Sequence, residues 1–98
     1  MALNIFWTKH AEKSFEQILD YLEKEWGEKV SKAFAKKVYG FLEILSEFPE
    51  IGSIENKEKG IRGFAIIKQV NLFYRVSNNK IYLLKFFDNR QNPRKKLK

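Results

Sequence analysis

Six side chains in the C-terminal half carry most of the chemistry this sequence could do: Arg62, Lys68, Tyr74, Arg75, Arg90 and Arg94. A guanidinium is a planar donor that grips phosphate or carboxylate through paired hydrogen bonds, and a lysine adds a compact charge. On one account these groups line an open sheet face and bind an anion. On the other, Arg62 and Lys68 are surface groups at the two ends of a strand and Tyr74 is core. Other chemistry is scarce. The chain has no cysteine, hence no thiol nucleophile, disulfide or cysteine metal site. Its single histidine, His10, falls at the exposed start of a helix, and one imidazole leaves too few ligands for a metal. Glu12, Glu16, Asp20, Glu23, Glu25 and Glu28 recur as the wet face of an amphipathic helix rather than as an acid/base pair. No glycine-rich phosphate loop is present, and no cofactor or metal is expected.

The 98 residues suffice for one domain with one core, here 1–98 with a basic tail at 88–98. A hydrophobic fraction of 44%, including nine Phe, is more than a disordered chain carries. The net charge is +7, and Arg90, Arg94, Lys95, Lys96 and Lys98 against Asp88 place much of it in the last eleven residues. That field attracts polyanions: nucleic acid, an acidic protein or a membrane surface. The apolar run at the N-terminus is broken by Lys9, His10, Glu12 and Lys13, and no stretch approaches the roughly 18 residues of a membrane span. A soluble, cytoplasmic protein is expected.

These groups must be held by a small set of elements. LNIFWT at 3–8 suits a strand, with Thr8 as the N-cap of a helix beginning at Lys9. Ala11, Phe15, Ile18, Leu19, Leu22 and Trp26 repeat at helical spacing up to Gly27. Val30, Phe34, Val38, Phe41, Leu45 and Phe48 repeat the pattern until Pro49 and Gly52. With so short a break, the two helices form an antiparallel hairpin whose apolar stripes share one surface. Residues 49–60 form a loop. Extended segments come next at 61–68, 70–76 and 80–87, the last two joined by Ser77-Asn78-Asn79, which is turn chemistry. KIYLLKFF is apolar on both alternating faces, Ile81, Leu83 and Phe87 against Tyr82, Leu84 and Phe86, as an interior strand would be. The expectation is an α+β domain, β-α-α-β-β-β, with the hairpin packed on a small antiparallel sheet.

Several stretches together carry a family resemblance: AEKSFEQILDYLEKEWG, LEILSEFPEIGS, IRGF, FYRVSNNKIYLLKFF and NRQNPRKKL. In this order and spacing the chain resembles the ParE branch of the RelE/ParE toxin superfamily over nearly its whole length. The Tyr-x(4)-Trp-Gly end of the first helix, the Leu-x(3)-Pro-x(2)-Gly stop of the second, the Phe-Tyr-Arg-Val strand and the closing Asn-Pro-Arg agree together. The resemblance implies the fold derived above. It also implies a plasmid-stabilization type of bacterial toxin from a type II toxin–antitoxin pair, one that inhibits DNA gyrase by binding and does no covalent chemistry of its own.

Two other readings stay open. A RelE-type toxin would cut messenger RNA on the ribosome without a metal, and Lys68 and Arg90 would be its catalytic candidates. Such cleavage needs a base for the 2′-OH proton, an acid for the leaving oxygen and cations on the phosphorus charge. Asn71 stands where that branch usually has arginine, and no tyrosine comes after Tyr82. The third reading is a nucleic-acid-binding module with no toxin activity. Under the ParE reading the partner is a small, acidic, partly disordered antitoxin that folds on docking, with gyrase as target and no membrane involved. Trp26, Tyr39 and Leu42 are the candidate apolar contacts. Arg62, Arg75, Arg90, Asn92, Pro93 and Arg94 are the candidate polar ones.

Overall fold

The computed structural model describes residues 2–90. Strand β1 (Asn4–Trp7) leads into helices α1 (Lys9–Trp26) and α2 (Glu28–Glu47), followed by strands β2 (Ser53–Asn56), β3 (Ile61–Ile67), β4 (Val70–Ser77) and β5 (Lys80–Asp88). The strands make one sheet in the order β1-β5-β4-β3-β2.

Two features correct the expected architecture. The segment read as a loop contains β2, paired antiparallel with β3. All four of its residues are exposed, so no alternation of apolar and polar residues announces it. β1 runs parallel to β5, which makes the sheet mixed rather than wholly antiparallel. Parallel neighbours are never joined by a tight turn, so this pairing has no local sequence signal.

The helices form where the spacing places them. Thr8 caps α1, its hydroxyl accepting the Ala11 N–H at 3.1 Å and donating to the Leu83 carbonyl at 2.8 Å, so one side chain ties helix start to sheet. Gly27 ends α1 and starts α2 at φ +98°, a conformation that side chains disfavour. The helices turn back on each other, with Phe15 against Phe34 and the Ser31 hydroxyl donating to the Leu19 carbonyl. Between β4 and β5, Asn78 and Asn79 both adopt positive φ, 53° and 62°, the signature of a tight hairpin turn.

The core lies between the hairpin and one sheet face. Ala11, Phe15, Ile18 and Leu22 of α1 and Phe34, Val38, Leu42 and Leu45 of α2 meet Val70, Leu72, Tyr74, Ile81, Leu83 and Phe86. A bulge breaks the register: Tyr74 pairs with Leu83, but Phe73 pairs with Lys85. Leu84 is the extra residue, so the side chains beyond it change face. Phe86 therefore joins Ile81 and Leu83 in the core, and Phe87 turns to the opposite face with Phe73, reversing the expected assignment of both. The Phe86 N–H donates to the buried Ser14 hydroxyl at 3.0 Å.

Candidate functional site

The ends of both apolar stripes leave the core. Trp26 and Phe48 are each 64% exposed and Val30 is 43% exposed. The two aromatic residues sit near opposite ends of α2, in different surroundings.

At the Gly27 end, Leu22, Trp26, Val30, Ala33, Phe34 and Ile67 line an open groove of about 430 Å³, with Lys37 and Arg90 as its charged members. Arg90 is pinned there. Its Nε and Nη2 donate to the two carboxylate oxygens of Asp88 at 3.0 and 2.9 Å, and its guanidinium lies over the Tyr21 ring at 5.5 Å. The Asp88 side chain is fully buried, so this is a planar paired bond rooted in the sheet. The Asp88 hydrogen bond raises the Arg90 pKa above its ordinary value. The sequence named Trp26 and Arg90 as separate candidates; the fold brings them to one groove.

At the other end, the loop after α2 is fastened from below. The Tyr74 hydroxyl, on a side chain buried to 0% exposure, donates to the Pro49 carbonyl at 2.9 Å and accepts the Gly52 N–H at 2.8 Å. Burial raises the Tyr74 pKa; the Gly52 hydrogen bond and the nearby Arg62 charge oppose the shift. Arg62 donates through Nη1 to the carbonyls of Gly52 at 2.7 Å and Glu50 at 3.3 Å. Above this clasp, Glu47, Phe48, Pro49, Glu50 and Ile51 line an open concavity of about 530 Å³.

Among the described residues, the basic and phenolic candidates thus do not gather on one open face. Arg62 and Tyr74 are direct partners across β3 and β4, on the helix side of the sheet and engaged with the loop. Arg75, paired with Ile61 and Tyr82, is exposed on the opposite face. Lys68 is exposed in the turn between β3 and β4. Tyr39 is 54% exposed and lies on another groove with Trp7, Glu12, Phe15, Glu16 and Leu19. Leu42 is corrected from surface contact to core at 7% exposure. It stands four residues after Val38 and three before Leu45, on the inner stripe. Asn92, Pro93 and Arg94 lie outside the described residues. Among the described residues there is no group of three His, Cys, Asp or Glu able to hold a metal, and no helix is long and apolar enough to cross a membrane.

Sequence reasoning did not anticipate the clasp. Its signal was split between the Pro49-x-x-Gly52 stop and a tyrosine more than twenty residues later.

The family described as the ParE toxin of the type II toxin–antitoxin system parDE matches residues 5–93. The chain belongs to the ParE toxin family. No curated protein matches the sequence, and the structural relatives are distant in sequence. The fold of this ParE-family chain resembles the chromosomal ParDE toxin–antitoxin system from P. aeruginosa with a TM-score of 0.75 at 16% identity, covering 89% of this chain and 96% of that one. The YoeB dimer from Staphylococcus aureus gives 0.63 and 19%, covering 89% and 97%. The RelBE2 toxin–antitoxin complex from Mycobacterium tuberculosis gives 0.60 and 14%, covering 90% and 99%. At these identities the likeness is one of fold. The chain is thus a member of the ParE toxin family of type II toxin–antitoxin systems, and its strand, helix pair and mixed five-stranded sheet give it the fold of these structures.

Proposed function

We propose that this toxin acts by binding and inhibiting DNA gyrase, without cleaving RNA, and that a small, acidic, partly disordered antitoxin neutralises it. The observation that supports binding over cleavage is the dispersal of the candidate cations among the described residues. Metal-free RNA cleavage needs a base, an acid and charge stabilisers converging on one phosphate. Here Arg62 is engaged with loop carbonyls, Arg90 is tied to Asp88, Lys68 stands in a turn and Arg75 occupies the far face. The RelE-type pair of Lys68 and Arg90 would have to work with one member bound to a buried carboxylate.

The Trp26 groove suits the antitoxin. Its apolar floor accepts the apolar face of a helix, and Arg90 and Lys37 face that helix's carboxylates. The toxin–antitoxin complexes among the structural relatives support a protein partner of this kind by analogy of fold.

Inducible expression in bacteria, with plasmid supercoiling and translation followed in the same culture, tests the target. Altered supercoiling and DNA damage with intact translation are the expected result. Prompt translational arrest with cut messages would overturn the gyrase reading in favour of the RelE-type one. Unimpaired growth would leave a binding module without toxin activity.

A further inference from the structure

The surface at the end of α2 has no part in the function proposed above, and its charge is opposite to that of the whole chain. Phe48 is 64% exposed, Ile44 48% and Ile51 41%, and Phe48 and Ile51 line the same concavity. Large apolar side chains clustered in the open mark a docking surface more often than a solvated one. Around them stand Glu43, Glu47 and Glu50, all exposed, on a chain of net charge +7. Among the described residues no lysine or arginine comes within 4 Å of these three carboxylates.

Their position favours a positive partner. A helix C-terminus carries the negative end of the helix dipole and favours cations, yet the last turn of α2 has no basic residue and ends on Glu47. Arg62 lies beside these carboxylates, but its hydrogen bonds go to the Glu50 and Gly52 carbonyls and not to them, which leaves the carboxylates open to a cation from a partner. The surface is also held in shape. Tyr74 and Arg62 fix the backbone of Pro49, Glu50 and Gly52, so Ile51 is presented without an ordering cost at the moment of binding.

We propose that this face docks a protein segment of basic and apolar character. Phe48, Ile44 and Ile51 take its apolar anchor, and Glu43, Glu47 and Glu50 take the lysines or arginines that flank it. An acidic partner is repelled here, so this face and the Trp26 groove select partners of opposite charge.

The test uses the full chain and two labelled 14-residue helical peptides, identical in their leucines, one with lysine and the other with glutamate at the flanking positions. Fluorescence anisotropy should show the lysine peptide binding at least about tenfold more tightly. Phe48→Ala should remove about tenfold of that affinity, in line with loss of a central aromatic anchor. Glu47→Lys with Glu50→Lys should reverse the preference between peptides. Phe48, Glu47 and Glu50 are all exposed, so melting curves no lower than the wild type's, to within about 0.5 kcal/mol, will confirm that each variant folds. Equal binding of both peptides, binding of neither, or indifference to the charge reversal overturns the proposal. So does a wild-type chain that sediments as a dimer and becomes a monomer with Phe48→Ala, because the occupant is then a second copy.

Discussion

The two ends of α2 solve one problem in different ways. Each displays an aromatic residue at 64% exposure, Trp26 beside the hairpin turn and Phe48 beyond the last helical turn. The support under Phe48 is a set of hydrogen bonds linking a buried phenol and an arginine with loop backbone. The support beside Trp26 is an ion pair between Arg90 and a buried aspartate. A hydrogen-bonded clasp under a tight loop fixes backbone and tolerates no extra volume. An ion pair fixes a side chain and leaves the groove open. The difference predicts that damage to the clasp is felt as lost stability, and damage to the ion pair chiefly as lost order of one surface.

The largest effect should come from Gly52→Ala. A Cβ there would lie 2.7 Å from the Tyr74 hydroxyl oxygen and 2.8 Å from the Gly63 carbonyl oxygen, so backbone or the buried phenol must move. Urea denaturation should show a loss of about 3 kcal/mol, the upper range for overpacking. A neutral result would mean that the loop is not seated as tightly as the clasp implies.

Tyr74→Phe comes next, at about 2 kcal/mol, because it leaves the Gly52 N–H buried without an acceptor. Its pH dependence sharpens the comparison. The folded-state pKa of Tyr74 is raised above the ordinary tyrosine value of about 10. Between the unfolded and folded pKa values the native state keeps a proton that the unfolded chain has lost, so stability falls as pH rises through that window. The wild type should hold this contribution below about pH 10 and lose it above. Tyr74→Phe should lack that part of the alkaline slope, measured by urea melts from about pH 8 to 11.

What the sequence disclosed tracks the range of the interactions. Both helices, the Thr8 cap and the Asn78-Asn79 turn depend on residues a few positions apart, and each was legible. The exposed β2, the parallel β1–β5 pair and the Leu84 bulge depend on a neighbouring strand, and no spacing rule within one strand reveals them. Leu42 is a different case. Its spacing from Val38 and Leu45 already placed it inside, and the helical period outweighs its appeal as a contact. The site was half legible: Trp26 and Arg90 were readable as residue types, but their meeting required the fold, as did the link from Tyr74 back to Pro49 and Gly52.

Asp88→Asn is a smaller perturbation. It removes the charge that holds Arg90 while keeping a side chain of the same shape, and should cost about 1 to 2 kcal/mol. The sharper readout is local. In a Trp7→Phe background, the fluorescence anisotropy of Trp26 should fall as the Arg90 wall of the groove loosens, whereas Tyr74→Phe should leave it unchanged. Equal falls in both variants would erase the distinction between the two supports.

The smallest effects on stability are expected from Trp26→Ala and Phe48→Ala, each within about 0.5 kcal/mol, because side chains this exposed leave little cavity behind. That near-neutrality separates display from packing. Burial cannot account for an aromatic ring that the fold does not need, least of all when a buried phenol and a buried carboxylate are committed to shaping the ground beside it. If either substitution instead costs about 2 kcal/mol or more in thermal or urea melts, that ring belongs to the core and its end of α2 is no docking surface. If both are neutral in melts and each abolishes a different binding event, the two ends of α2 are separate interaction sites, distinguished by the sign of the charge around the ring.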